Sequence, residues 1–534
     1  MMKNIYNNMM KAAAVIAALF AMTSCLDKMP NDAVGIHQSM KTFSDAEQTL
    51  TGIYSAYMSG ALYSGYLTLL PDIQADLVHA VQGNSNTYGP LWQWDIRPTS
   101  SEIKSVYGAL YNVIARCNFY LDKVDALRSS LIDDEEITYL DYYTGEVYCA
   151  RANAYAELIK CFCEAYDPTK ADSQMGVAID STYFGAKPKG RASLKDSYEF
   201  VIRDLNKAEE LLEDIPEAYT YPYVSQSAAR AILARVSLYM QKFDAAIEYT
   251  TKIIERKNEG EPRNVYTLAT SSVYTSGTDY ISGGTRNFTL VDYMWTHDLS
   301  TEIIWQIGYT TTSYGGALGQ VFLNYTNDYV SFYPDYMPSE WVISLYGNSD
   351  ARRNAYFRTL TTGYPGNPSL TLLVKYFGNH SDFIPYNIYH VCQPKPIRLA
   401  EMYLIRAEAY CRSEAKDYGK ASADLKELAA ARGASVAALS STNWLSIISQ
   451  ERVKELYMEG FRLNDLKRWK DLPEWSKVQP AGRVFKRENQ ANAQTGKAST
   501  MEVKTTDHRF VWPIPQHEIE APGSGLKHQQ NKGY

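Results

Sequence analysis

The sequence is poor in the residues and motifs on which many enzymes and secreted scaffolds depend. Its 534 residues include only 7 cysteines, and no two of them form a CxxC pair. It has no nucleophile-elbow G-x-S-x-G, zinc-binding H-E-x-x-H or phosphate-binding G-x-x-x-x-G-K-[ST] motif. These absences argue against a disulfide framework or a metal site. They also make an enzyme less expected, although glycosidase carboxylates need no local motif.

Basic charge and long apolar runs are also scarce. The chain has 53 Lys and Arg against 60 Asp and Glu, a net charge of −7, which argues against a nucleic-acid partner. The apolar run at residues 12–21 covers ten residues. As a helix it would reach about 15 Å, half the hydrocarbon thickness of a bilayer. This run is therefore too short to span a membrane.

The first residues have the layout of a secretory leader. Lys3 and Lys11 precede the apolar run, and the small residues Thr23 and Ser24 stand directly before Cys25. Small residues before a cysteine resemble a bacterial lipobox, which predicts a signal peptide at 1–24 and acyl chains, palmitate among them, on Cys25. Several acyl chains would anchor the mature protein stably without crossing the membrane. The alternative is a secreted protein whose cysteine follows the leader by chance.

Helical patterns with small residues among large ones occur twice. Residues 227–255 and 400–432 both show this spacing, which lets two antiparallel helices approach closely and is typical of tetratricopeptide repeats. With two irregular units at 101–125 and 140–166, the sequence predicts a mainly α scaffold of four units. An ordinary helical hairpin is the alternative. The six cysteines after Cys25 are expected to be mostly small buried residues.

The middle of the chain is rich in aromatic residues and loops. Thirteen of the 43 tyrosines fall between Tyr293 and Tyr389, among Gly, Ser, Thr and Asn. A smaller cluster lies at residues 86–98. Flat aromatic faces suit the C–H face of a pyranose ring, and amide side chains suit its hydroxyls. The candidate ligand-binding residues are Trp92, Trp94 and Tyr88 as stacking platforms, Asn86 as a hydroxyl partner, and Trp295 and Tyr314 from the middle section. The alternative for each ring is core packing.

Three carboxylates follow a helical spacing near the C-terminal end. Glu451, Glu455 and Glu459 lie at i, i+4 and i+8, which would place them on one helix face as a possible acid–base site. Arg452 and Lys454 are interleaved with them. A charge-paired helix surface is the more common explanation of such a pattern, so no catalytic residue is assigned.

Several stretches together resemble the SusD/RagB family of Bacteroidetes outer-membrane lipoproteins. The most specific is residues 451–469, ERVKELYMEGFRLNDLKRW, similar to the family form ER-x-x-EL-x-x-EG-x-R-x-x-DL-x-RW. The other matching stretches are CLDKMP at 25–30, DAR at 350–352, KY at 375–376, KPIRLAEMYLIRAEAY at 395–410, VWPIPQHEI at 511–519 and GLKHQQNKGY at 525–534. One departure is LKELAAARGA at 425–434, where the family usually has an asparagine and a second arginine.

The resemblance implies a single tetratricopeptide-like fold with a variable, loop-rich face. It implies an N-terminal helical part at 25–265, a variable part at 266–396 and a C-terminal part at 397–534. Family members sit at the outer-membrane surface as lids on SusC-like TonB-dependent transporters and help to import oligosaccharides. The resemblance therefore implies a binding protein without enzymatic activity or cofactor. The resemblance also implies that the motif segments form the scaffold and bind no ligand, and that the Glu/Arg-rich segment satisfies buried helix termini and charges.

Three other functions remain open at this stage. Some relatives take peptides, and tyrosine-rich clefts suit peptides as well. A surface glycosidase and a pure protein-contact scaffold are the remaining alternatives. The sequence does not identify the glycan, because stacking recognises a ring face and not a linkage.

Overall fold

The computed structural model describes residues 39–185, 190–213, 215–219, 223–325, 331–475, 484–491 and 498–534. Helices form most of the first and last parts of the chain, and short strand pairs lie mainly between them. The predicted mainly α class is therefore confirmed. The leader and Cys25 lie outside the described residues. No helix of the described segments is long and apolar enough to cross a membrane.

Seventeen helices are found in the described segments. The first eight are α1 (Phe43–Tyr57), α2 (Tyr66–Gln74), α3 (Gly89–Trp92), α4 (Ser101–Arg128), α5 (Asp134–Phe162), α6 (Leu194–Leu211), α7 (Gln226–Tyr239) and α8 (Phe243–Ile254). The rest are α9 (Leu290–Thr296), α10 (Gln320–Leu323), α11 (Glu340–Ser344), α12 (Ala351–Tyr356), α13 (Leu399–Arg412), α14 (Tyr418–Ala431), α15 (Trp444–Glu455), α16 (Arg462–Trp469) and α17 (Gln516–Glu520).

The two predicted helical hairpins are confirmed as α7 with α8 and α13 with α14. Ala228, Ala231 and Ala246 are fully buried where α7 meets α8, because their small side chains allow close approach. The side chain of Ser225 accepts a hydrogen bond from the backbone of Ala228 and so fixes the start of α7. Helix α13 packs on α7 and α8, which joins the two hairpins into one helical layer.

The two predicted irregular units are each one long helix and not a hairpin. Residues 101–125 fall in α4 and residues 140–166 fall mostly in α5, and these helices pack against each other. Their further partners are α1, which packs on α4, and α6, which packs on α5. In the α5–α6 contact, Arg151 forms a buried ion pair with Asp204 at 2.7 Å.

In the part of the chain that the structure describes, ten strands pair two by two, and all five pairs are antiparallel. They are β1 (Val78–Ala80) with β5 (Tyr336–Pro338), β2 (Val273–Asp279) with β3 (Gly284–Thr289), β4 (Ile303–Trp305) with β8 (Ile397–Arg398), β6 (Phe357–Thr361) with β7 (Ser369–Leu373), and β9 (Val484–Ala491) with β10 (Ala498–Lys504). The β4–β8 pair ties the middle section to the start of α13.

A buried cluster of acidic and basic side chains connects the middle section to the C-terminal helices. Glu455 accepts four hydrogen bonds, of 2.8 to 3.0 Å, from Arg352, Arg398 and Arg432. Glu302 also accepts from Arg398 and Arg432. The remaining members are Asp350, Lys375, Glu451 and Glu459. We call these nine residues the arginine–glutamate cluster.

The cluster decides between the two explanations of the spaced carboxylates. Glu451 and Glu455 lie on α15 and Glu459 just beyond it, and all three are buried or nearly so and paired with basic groups. A charge-paired surface is therefore the wrong description, because the pairs lie inside the protein. The expectation that this segment satisfies buried charges is confirmed.

The last residues of the chain close onto the end of α5. The backbone of Trp512 donates to the carbonyl of Cys161 at 3.0 Å, and Asn531 donates to the carbonyl of Phe162 at 2.9 Å. These contacts give the WPIP and QNKGY segments a structural role. The six cysteines of the described segments are all free and buried, as predicted.

Candidate ligand-binding cleft

A cleft of about 380 Å³ opens between two segments of the middle section. One wall is formed by residues 293–308 and the other by residues 381–393, while Tyr219 reaches in from the loop after α6. The volume falls in the range of about 300–1,000 Å³ that is usual for small-ligand sites. The lining residues are Tyr219, Tyr293, His297, Asp298, Leu299, Gln306, Gly308, Ser381, Asp382 and Gln393.

Local sequence signals position the first wall. Thr289 and Asp292 form a capping box at the start of α9, with each side chain bonded to the other's backbone N–H. Asp292 is also paired with Arg286 on β3. The helix ends at Thr296 and is capped by His297, and the next residue, Asp298, has a positive φ of 54° that turns the chain into the cleft wall.

The β4–β8 pair holds the two walls together. Trp305 lies opposite Ile397 in this pair, so the residues just beyond the strands remain close. Gln306 donates to Gln393 through Nε2 and Oε1 at 2.8 Å. Asp298 accepts from the backbone of Gln393 at 3.1 Å and is paired with Lys395 at 2.5 Å. The two walls are thus fixed to each other by hydrogen bonds and one buried ion pair.

The aromatic face of the cleft is formed by Tyr293 and His297. Their rings stack with centroids 4.0 Å apart and planes 9° apart. Tyr274, an exposed residue on β2, meets Tyr293 edge-on at 4.8 Å. Tyr219 is 37% exposed and completes the lining on the opposite chain segment. Flat partly exposed rings of this kind are suited to ligands with an apolar face.

The histidine of this face is held neutral. Burial lowers the pKa of His297 to about 4, and its Nδ1 lies 2.8 Å from the hydroxyl of Thr296. The ring therefore carries no charge at neutral pH. It offers a stacking surface and a hydrogen-bonding nitrogen but no positive charge.

The polar side of the cleft is made of amides and carboxylates. Asn379 donates to Asp298 at 2.8 Å and to Asp382 at 3.1 Å, and thus holds the two carboxylates in place. Gln306 and Gln393 each keep one amide atom that no described residue bonds. Planar amides and carboxylates of this type match vicinal hydroxyl groups, which both donate and accept.

Three of the predicted stacking residues are buried, so their assignment as exposed platforms is wrong. Trp94 is 1% exposed, donates from Nε1 to the carbonyl of Gln74 at 2.7 Å and packs on Phe510. Trp92 and Trp295 are also buried, each in the core around the middle section. Large apolar rings are stabilised by leaving water.

Trp295 also packs against buried cations in the protein interior. The ammonium of Lys375 lies 3.9 Å from its ring centroid, and Lys395 and Arg398 lie within 5.3 Å. The ring therefore covers buried cations beside the arginine–glutamate cluster, an arrangement that is favourable in a desolvated site.

The other three predicted residues remain on the surface. Tyr314 is 44% exposed and its ring lies 6.1 Å from that of Phe383, the neighbour of the cleft residue Asp382. Asn86 is exposed and Tyr88 is half-buried against Tyr66, and neither lines the cleft. A ligand contact by these residues stays a prediction.

Sequence reasoning missed most of the cleft. Tyr293, Gln306 and Asp382 lie inside the tyrosine-rich window and Gln393 lies four residues beyond it, so aromatic density located the region but not the residues. Tyr219 lies outside the window and reaches the site through the fold. The described segments contain no group of three or more His, Cys, Asp or Glu side chains arranged to hold a metal ion.

Comparison with known proteins agrees with this architecture. Two family profiles match the chain: one described as "Starch-binding associating with outer membrane" at residues 26–238, and one described as "SusD family" at residues 363–534. The chain is 25% identical to SusD-like protein P38 of Formosa agariphila over 258 residues, 47% of this chain and 46% of that protein. It is 22% identical to SusD-like protein P25 of the same organism, over 59% of this chain and 57% of that protein. The chain spans about half the length of these curated relatives.

Solved structures share the fold over nearly the whole chain. A putative sugar binding protein from Bacteroides vulgatus superposes with a TM-score of 0.71 at 25% identity, covering 93% of this chain and 99% of the other. A SusD superfamily protein from Bacteroides thetaiotaomicron gives 0.70 at 22% identity, covering 92% and 99%. A laminarin-binding SusD-like protein gives 0.65 at 19% identity, covering 93% and 100%.

Proposed function

The chain belongs to the SusD/RagB family, and we propose that it is a glycan-binding lipoprotein of the outer-membrane surface. In this proposal it captures oligosaccharides in the described cleft and passes them to a SusC-like TonB-dependent transporter without cleaving them. The lipid on Cys25 would tether it to the membrane.

The observation that carries this proposal is the pairing of an aromatic face with hydroxyl-binding groups in one cleft. The stacked rings of Tyr293 and His297 offer a surface for the C–H face of a pyranose. Gln306, Gln393 and Asp382 stand around them with atoms suited to the ring hydroxyls. The similarity to proteins named for sugar and laminarin binding supports the same ligand class.

The arrangement favours binding over glycoside hydrolysis. Of the two carboxylates in the cleft, Asp298 is buried and bonded to Lys395, Asn379 and the Gln393 backbone. A hydrolase needs one carboxyl group free to donate a proton and a second free to attack or to activate water. Asp298 is too fully bonded to act as either.

The proposal is tested by glycan binding to the mature chain expressed with Cys25→Ala as a soluble protein. Screening on a glycan array, followed by calorimetry on the strongest binder, should give binding that Tyr293→Ala weakens about two- to tenfold, because a stacked ring contributes about 0.5–1.5 kcal/mol. Tyr139→Ala, which removes a more exposed tyrosine on α5 away from the cleft, is the control and should bind as wild type.

Three results would overturn parts of the proposal. Binding of peptides instead of glycans would make the cargo wrong, and release of reducing sugar by the purified protein would make the non-enzymatic assignment wrong. Full glycan binding by Tyr293→Ala would place the site elsewhere.

Metabolic labelling with a palmitate analogue should label the full-length chain and not the Cys25→Ala variant. Affinity purification from the outer membrane should recover a transporter barrel.

A further inference from the structure

We infer that the cleft binds neutral glycan units and discriminates against units that carry carboxylate or sulfate groups. This inference rests on the proposed function and narrows its ligand class. It depends on the charges around the cleft: every charged residue of the lining in the described part of the chain is acidic.

No basic side chain is among the residues that line the cleft in the described part of the chain. Its two charged members, Asp298 and Asp382, are both acidic. Recognition of a carboxylate or sulfate normally uses arginine or lysine as a charge-assisted donor. An anionic sugar placed here would lose its hydration shell without gaining such a partner.

The cations nearest the cleft are already engaged. Lys395 is 1% exposed at its side chain and bonds both Asp298 and the carbonyl of Gln393. Arg286 is paired with Asp292 at the base of α9. Recruiting either cation for a ligand would leave a buried carboxylate unpaired, which is strongly unfavourable.

Asp382 supplies the charge that an anionic ligand would meet. It is exposed, and no described basic residue forms an ion pair with it, since its one recorded partner is the Asn379 amide. Burial and then the negative charge of Asp298 raise the pKa of Asp382, and the second cause shows that another carboxylate acts on this position. The net charge of −7 on the whole chain adds repulsion at longer range.

The test compares matched ligands that differ only in charge. The strongest neutral binder from the array is compared with the same glycan after oxidation of its primary alcohols to carboxylates. Repulsion by Asp382 together with the missing cation should weaken binding of the oxidised glycan at least about tenfold at 0.1 M salt. Asp382→Asn should shrink this ratio severalfold, and 1 M salt should shrink it as well, because the Debye length falls to about 3 Å.

The affinity ratio is the readout, because Asp382 itself contacts the ligand site and its replacement changes neutral binding too. Asp141→Asn, at a partly exposed carboxylate on α5 that pairs with Arg128 outside the cleft, should leave the ratio unchanged. Equal or tighter binding of the oxidised glycan, or an array on which the Tyr293-dependent binders are acidic, would overturn the inference and leave the proposed function standing. An array without any Tyr293-dependent binder would overturn both.

Discussion

Replacing Glu455 by glutamine tests whether the arginine–glutamate cluster holds the fold together. Glu455 is completely buried and accepts hydrogen bonds from Arg352, Arg398 and Arg432 at 2.8 to 3.0 Å. Glutamine has the same shape but no charge, and its amide NH₂ would face guanidinium donors. Each carboxylate oxygen accepts two of the four hydrogen bonds, so two of them become donor–donor contacts, and three buried arginines lose a shared counter-charge.

The expected cost is large. Removing one partner of a buried ion pair costs about 3–5 kcal/mol, because the remaining charge stays buried without compensation. Glu302 still neutralises part of the charge on Arg398 and Arg432, so we expect a loss of about 3 kcal/mol. That loss is a large fraction of the total free energy of unfolding of a folded protein, which is roughly 5–15 kcal/mol.

The pH dependence of the same pair has a definite sign. Burial alone would raise the pKa of Glu455, but Arg432 and Arg398 lower it well below the usual value of 4.5. Its stabilising contribution is therefore complete above pH 4.5 and is lost as the pH falls through the lowered pKa. The stability difference between wild type and Glu455→Gln should accordingly be constant from pH 7 to 5 and shrink below that.

Urea denaturation followed by tryptophan fluorescence measures this difference. The control is Glu248→Gln, which breaks the exposed pair with Lys252 on α8 and should cost about 0.3–0.5 kcal/mol. A Glu455→Gln protein whose free energy of unfolding lies within about 1 kcal/mol of the wild-type value would refute the reasoning, because the buried arginines would then not depend on this carboxylate.

Three further predictions follow from the interior. Trp94→Phe should lower the free energy of unfolding by about 1–3 kcal/mol, because the hydrogen bond to Gln74 and some packing are lost. Glycan affinity measured by calorimetry should stay unchanged, and a lost affinity with unchanged stability would contradict this prediction. Burial lowers the pKa of His390 to about 4, so its neutral form stabilises the fold above pH 6.5 and this contribution is lost as the pH falls toward 4. In thermal melts, the His390→Gln protein should therefore lose less stability than wild type between pH 7 and 4. Equal losses would refute this prediction. The chain with Cys25→Ala should show no thiol reactive toward a maleimide when native and six when denatured in urea, and rapid labelling of the native protein would contradict the burial of the cysteines.

The helical part of the fold could be predicted from the sequence because its signals are local. Alanines spaced among large residues define two helical hairpins, and the caps at Ser225 and Ser193 mark where α7 and α6 begin. The sequence predicts the long helices α4 and α5 but not their further partners, because α1 and α6 are brought to them by the tertiary structure.

The cleft could be predicted only as a region. Tryptophans in a loop rich in Asn, Gly and Pro lack a helical period, which was interpreted as exposure, but loop composition does not determine which way a ring points. Trp94 turns inward because its backbone adopts a positive φ of 62° and the distant Arg509 and Phe510 close over it. Gln306 and Gln393 likewise meet only after β4 and β8 pair, a contact between residues 87 positions apart.

The arginine–glutamate cluster also limits how this protein could be re-engineered to carry another cargo. Glu302 lies within the segment that forms the first wall of the cleft, and the second wall is followed within a few residues by Arg398, so each wall is continuous in sequence with a residue on which the buried charges depend. A chimera that received the corresponding loops of another protein would have to retain Glu302 and Arg398, or the transplanted segment would bring an uncompensated charge into the interior. Cargo specificity can therefore be exchanged only if these two residues are kept, in a host whose framework remains intact.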